Sequence, residues 1–338
     1  MPAGFMNQDN FGFTGARSAI WHRFGTAIQT GQKAVEAFPA LGLDWETDTL
    51  PVFAMVNGQQ IELPEHRAHV RRDTGTVFGL VSDKYRAINN GDLARFADGL
   101  VDGGEATVET AGSLLNGKRV FVTLRLPTVV RVGRNGCDES FQFLVVSNGH
   151  GGFASFSTYL TSVRVVCQNT LTLSERDIAT GVRFYHTGDL EGKLRQARTI
   201  LGTATKESEK FAEQCHALAN ADISSGQLRD FLVYAFEATY GAAPKEDAGE
   251  VFIKWNAKRE RAIKEWMEKF ESEKQTLPGI QGTAWAALNA YTEWSDHERG
   301  GPWLANRPED VRLHSNVFGI AQTAKRKVFR AALKMAGV

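Results

Sequence analysis

The amino-acid sequence predicts an α+β protein: an antiparallel β-sheet core with flanking helices, followed by a helical C-terminal region. Three observations carry this reading. Between residues 50 and 172, short runs alternate apolar and polar side chains and are divided by turn signals. Beyond Asp189 the apolar spacing changes to that of helices. A hydrophobic content of 42% and a charged content of 23% over 338 residues are those of a folded chain, which excludes disordered, collagen-like and coiled-coil classes.

In chain order, residues 1–49 read as a lead-in with short helical stretches, around Ser18 to Phe24 and Gln32 to Ala37. Residues 50–180 form the expected α+β core. Pro51 to Met55 and Gln60 to Leu63 surround Asn57-Gly58, a hairpin turn in which both residues tolerate positive φ. Val77 to Ser82 is a further strand, and Asn89 to Val101 reads as a helix with Leu93, Phe96, Ala97 and Leu100 on one face. Ala106 to Ala111 leads through Asn116-Gly117 into Arg119 to Leu126, where Val120, Val122, Leu124 and Leu126 alternate with Arg119, Phe121, Thr123 and Arg125. One face of that strand is predicted buried and the other wet and basic. Phe141 to Val146, apolar on both faces, suits the sheet interior, and Ser155 to Thr161 returns from the Asn148 to Gly152 turn. Residues 181–338 then read as helices, among them Leu228 to Tyr240, Glu246 to Lys274, Thr283 to Glu298 and Pro308 to Met335.

Charge and cysteine usage narrow the function classes. Lys plus Arg and Asp plus Glu number 39 each, so any binding face must be a local imbalance. Cys137, Cys167 and Cys215 form no C-x-x-C pair and are expected to be free thiols of a cytoplasmic protein. Met1 to Ala16 has no basic stretch followed by an apolar run, and the longest charge-free segment, Ser140 to Val163, is broken by glycines, so no membrane partner is expected.

No linear motif of an enzyme emerges, and no cofactor is called for. Cys167 with His150 and Asn169 lacks the setting of a thiol nucleophile and reads as a small buried hydrophobe. His66 and His69 read as a surface loop without zinc-ligand spacing, and Asp138-Glu139 as a hairpin tip. Neither a P-loop nor a G-x-G-x-x-G follows a strand. Charge placement says more. From Thr110 to Cys137 there are five cations, Lys118, Arg119, Arg125, Arg131 and Arg134, and no acid. On a strand, Arg119, Phe121 and Arg125 would project together, a set of guanidinium groups around an aromatic ring that suits a phosphate backbone with a stacked base. The plainer alternative is an ordinary solvent face of a sheet. Val311 to Val338 repeats the imbalance with Arg312, Lys325, Arg326, Lys327, Arg330 and Lys334 and no acid, a pattern that the helix dipole explains equally well. The eight cations and eight acids of Lys245 to Lys274 read as a solvated, salt-bridged face, and the tryptophans at 255, 266, 285, 294 and 303 as core or interface anchors.

Several blocks in fixed order carry a resemblance: Trp21-His22-Arg23-Phe24-Gly25, Leu43-Asp44-Trp45, Arg71-Arg72-Asp73-Thr74-Gly75, Val81-Ser82-Asp83-Lys84-Tyr85, Glu109 to Leu114 with Gly117 to Phe121, Val163 to Thr170, and Thr283-Ala284-Trp285 with Leu288-Asn289-Ala290. Together they resemble the phage/plasmid-like family of unknown function numbered 932 (DUF932). At the turn Ser147-Asn148-Gly149-His150-Gly151-Gly152 the chain departs from that family's pattern. The resemblance implies a cytoplasmic protein that handles mobile DNA. At the level of fold, the predicted helix-β-β-β-helix order resembles phage single-strand annealing proteins such as the Redβ, Erf and Sak groups.

The expected function is therefore a non-enzymatic single-stranded DNA-binding or annealing protein of phage or plasmid origin, acting in recombination or replication as a homo-oligomer. Lys118, Arg119, Arg125, Arg131 and Arg134 would contact the backbone, Phe121 would stack a base, and Arg164 and Lys84 would extend the track if their strands adjoin. The alternatives are an interaction protein, a scaffold or host-factor inhibitor, docking through the Trp-rich helical half, and a nucleic-acid-processing enzyme.

Overall fold

The Asn57-Gly58 signal sets the first sheet. A computed structural model describes residues 11–14, 26–28, 31–101, 106–164, 170–173, 183–184, 199–298 and 309–338. In it, β1 (Phe11–Thr14), β2 (Thr26–Ile28) and helix α1 (Ala34–Ala40) lead into β3 (Thr47–Val56) and β4 (Gln59–Arg71). Asn57 and Gly58 sit at φ of 51° and 80°, the left-handed pair that a two-residue hairpin needs. With β5 (Val77–Ser82) these strands form a three-stranded antiparallel sheet ordered β3-β4-β5. Past Pro51 the pairing slips at a bulge, and β5 faces only residues 66–70 of β4, so the tip of β3–β4 runs on as a two-stranded ribbon. His66 and His69 therefore lie on a strand, not in a loop, and His69 is fully buried.

Helix α2 (Asn90–Val101) precedes the main sheet, built from β6 (Thr107–Leu114), β7 (Arg119–Val132), β8 (Asp138–Gly149) and β9 (Phe156–Arg164), each antiparallel to the next. β10 (Thr170–Leu173) and β11 (Arg183–Phe184) pair with β9, and β1 joins β6 with β2 beside it, which makes eight strands among the described residues. The alternation read from the sequence holds on one face: Val120, Val122, Leu124 and Leu126 meet Leu144, Val146, Phe156 and Leu160 beneath α1 and α2. The Asp98 carboxylate of α2 accepts from the backbone N–H groups of Ala34 and Val35 at 2.6 and 3.0 Å, so the two helices arrive on the sheet as a unit.

The helical half follows as α3 (Thr199–Ala219), α4 (Ser225–Tyr240), α5 (Glu250–Phe270), α6 (Ala284–His297), α7 (Glu309–Phe318) and α8 (Ile320–Met335). A Ser224/Gln227 capping box starts α4, and Thr283 caps α6. The helix expected over Pro308 to Met335 is two helices. Gly319 adopts an extended φ/ψ of −120° and −148°, and a Cβ there would lie 3.0 Å from Ser315 Cα, so the chain turns between α7 and α8. Trp266 packs edge-on against Tyr291 and Trp294 at ring distances of 5.2 and 4.9 Å, and Trp285 shares their core, as the tryptophan spacing predicted. Trp303 lies outside the described residues. α5 carries exposed ion pairs such as Lys254–Glu250, as its balanced charge predicted. Among the described residues no helix is long and apolar enough to cross a membrane.

Two junctions tie these parts together. At the first, the Asn148 to Gly152 turn enters the three-stranded sheet. Gly151 N–H donates to His69 Nδ1 at 2.7 Å, His150 Nε2 bonds Asn90 Oδ1 at 3.0 Å, and Phe78 stacks on His150 at 5.3 Å. At the second, β7 bends at a bulge between Arg125 and Val129, and its far end leaves the sheet core. Val130 and Val132 join the helical interior with Phe211, Trp266 and Trp285. Asp138, read from sequence as a hairpin tip, is buried there and accepts from Trp285 Nε1 at 2.6 Å. Burial, and after it the Asp138 carboxylate, push the Cys215 thiol well up, so this free cysteine is a packing group. Cys137 is free and exposed, while Cys167 lies outside the described residues.

Candidate nucleic-acid interface

β7 brings the hairpin cations to one strand but not to one wet face. Lys118 is exposed in the β6–β7 turn. Arg119 is 6% exposed: its Nη1 donates to Ser147 Oγ at 2.9 Å, and its guanidinium lies 4.3 Å from the Phe318 ring centre. Phe121 is 1% exposed, in a cluster with Leu114, Val145 and Val317, and cannot stack a base. The face predicted to be wet is covered by the end of α7, which arrives almost two hundred residues later in the chain. Arg125 is half-buried, 4.0 Å over the Phe141 ring. Arg131 is exposed but paired with Glu139 at 2.8 Å, an acid just beyond the cation-rich stretch from Thr110 to Cys137. Arg134 is exposed in the β7–β8 turn, where its backbone N–H donates to Pro278 O at 2.7 Å.

The two track extensions separate as well. Lys84 follows β5, so it belongs to the other sheet, where it lines a shallow hollow of about 620 Å³ with Glu65, His66 and Asp83. Arg164 ends β9, two strands from β7 and opposite Ser140, and its side chain lies outside the described residues. The groove of Arg119, Phe121 and Arg125 is thus corrected to an internal contact between sheet and C-terminal helices.

That contact carries a titratable group. His314 of α7 sits half-buried against Phe318 and Phe153, and burial, then the positive Arg119, hold its pKa down to about 4. Unfolding returns the ring to its ordinary 6.5, so between those pH values the unfolded chain binds a proton that the folded chain refuses. Stability is full above that window and falls as the pH drops through it. Urea midpoints at pH 7 and pH 5 should therefore differ more for the native protein than for His314→Gln, and equal losses would exclude His314 as a source of acid sensitivity.

Charge is better gathered on α8. Ala321, Ala324, Val328 and Ala332 form its buried stripe, whereas Lys327, Arg330 and Lys334 are exposed on the opposite side at i, i+3 and i+7. These three span roughly 10 Å of helix at 1.5 Å per residue. No acid occurs between residues 311 and 338, so the helix contributes no carboxylate to oppose them. Lys325 leaves the set: it is fully buried and paired with Asp296 of α6 at 2.6 Å. Its place could have been read from its position beside Ala324 and Val328 on the apolar stripe. The side chain of Arg312 lies outside the described residues.

A family model described as a domain of unknown function, DUF932, matches residues 77–326. The chain belongs to the DUF932 family. The DUF932 match runs from β5 into α8, and so takes in strands β6 to β11 of the main sheet, the helical half and the covered Arg119. No curated protein and no solved structure matches the chain.

Proposed function

We propose that this DUF932 protein binds nucleic acid, holding single-stranded DNA of a mobile element through the solvent face of α8 during recombination or replication. The observation that carries the reading is the exposed Lys327, Arg330 and Lys334 stripe on a helix without acids. A row of cations on a rigid helix releases counterions from a phosphate backbone and binds without regard to sequence. No exposed aromatic side chain lies within α8, so the contact is electrostatic and does not stack bases. Lys118 and Arg134, both exposed, add isolated charge elsewhere on the surface. The choice of a single strand rests on the resemblance to annealing proteins.

Fluorescence anisotropy with a labelled dT oligomer at several salt concentrations tests the reading. Replacing Lys327, Arg330 and Lys334 together by Glu should weaken binding by more than tenfold. The slope of log K against log salt should fall by about 2, since each lost contact to a single strand removes ~0.7. A triple variant that melts like the native protein and keeps affinity and slope would remove α8 from the interface.

A further inference from the structure

The tip of β3–β4 is a two-stranded ribbon with exposed apolar side chains. Phe53, Met55, Val56, Ile61 and Leu63 are between 37% and 69% exposed, on the stretch of β3 and β4 that lies beyond the pairing with β5. A two-stranded ribbon is marginal in water on its own, and a third strand or a packed face is what makes it stable. Exposed apolar surface gathered on one projection marks a contact surface.

We infer that this ribbon is a self-association arm, whose occupant is the same arm of a second copy of this chain. The two edges of the ribbon differ in charge. On β3, residues 49–56 contain no charged side chain, whereas the open edge of β4, residues 59–65 beyond its pairing with β5, carries Glu62 and Glu65. Pairing β4 with its own copy would set carboxylates against carboxylates, which is unfavourable across strands; pairing β3 with β3 sets only apolar and neutral residues together. β3 is also the outer strand of its sheet along its whole length. Pro51 and the neighbouring bulge blunt its inner part, but Phe53 to Val56 carries none of the charges or prolines that protect an open edge. Antiparallel pairing about a two-fold axis near these residues yields a four-stranded sheet in the order β4-β3-β3-β4 and satisfies the open backbone groups. The two-fold arrangement is the commonest form of self-assembly because one patch serves both sides. This inference is independent of the α8 reading.

Size-exclusion chromatography with light scattering on the full chain tests it, together with hydrogen exchange of the peptide covering residues 49–56. The native protein should run at twice 37.2 kDa at micromolar concentration, and amides of that peptide should exchange at least tenfold more slowly than in a dilute sample. Met55→Glu should halve the mass and abolish that protection while melting as before. Ile253→Glu, on an exposed α5 position far along the chain, should leave the mass unchanged. Native protein that stays at 37.2 kDa with fast exchange at every concentration would overturn self-pairing and assign the arm to a different partner. A Met55→Glu variant that keeps the doubled mass would overturn it too.

Discussion

Asp296→Ala should destabilise the protein by about 3–5 kcal/mol, since removing one member of a buried ion pair takes the counter-charge from the other. Lys325 is fully buried in α8, and its ammonium bonds the Asp296 carboxylate of α6 at 2.6 Å. The alanine variant keeps the ammonium in the interior while removing that acceptor. The main-chain bond from Asn316 Nδ2 to Asp296 O, at 3.2 Å, does not need the side chain and survives. Adding Lys325→Met removes the buried charge with little change in volume, so the double variant should recover most of the loss. Urea unfolding at pH 7 checks both. A single variant within about 1 kcal/mol of native, or a double variant no better than the single, would show that the pair does not hold α8 against α6.

Gly151→Ala should be nearly as damaging, for a different reason. Gly151 has a φ of +67°, and a Cβ there would lie 2.6 Å from Phe78 C and 2.7 Å from Phe78 O. Left-handed backbone costs an alanine roughly 1–2 kcal/mol. The collision adds more, because it is with the β5 backbone and no side-chain rotation relieves it. Moving the turn away would also pull the Gly151 N–H from His69 Nδ1. Gly152→Ala is the control: its φ of +73° imposes the same backbone strain, but the nearest atom, Val81 Cγ1, is at an ordinary 3.7 Å. The expected result is a urea midpoint for Gly151→Ala well below that of Gly152→Ala. Equal midpoints would mean that the turn is not wedged against β5.

What the sequence shows and what it hides divide along physical lines in this molecule. Asn57-Gly58, the Val120 to Leu126 alternation and the Leu93 to Leu100 stripe are local patterns, and each lies where it was expected. The α+β class follows from them. Strand alternation tells which residues share the face of Arg119 and not what covers it; the cover, Phe318 and Val317, is remote in sequence. Arg131 reads as an open charge in the sequence because its partner, Glu139, becomes a neighbour only through the β7–β8 register. His69 reads as a loop residue in the sequence because Pro64 and two nearby glutamates mask a strand that is exposed along most of its length. Of the candidate interface, the α8 cations were legible as a count of charges; which of them face water follows from how the helix packs, as Lys325 shows.

The bend in β7 has a consequence for how damage spreads. One continuous strand lends its first half to one interior and its last residues, Val130 and Val132, to another. Loosening either interior pulls on a backbone that the other also needs, so the sheet and the helical bundle lose their order together and not in turn.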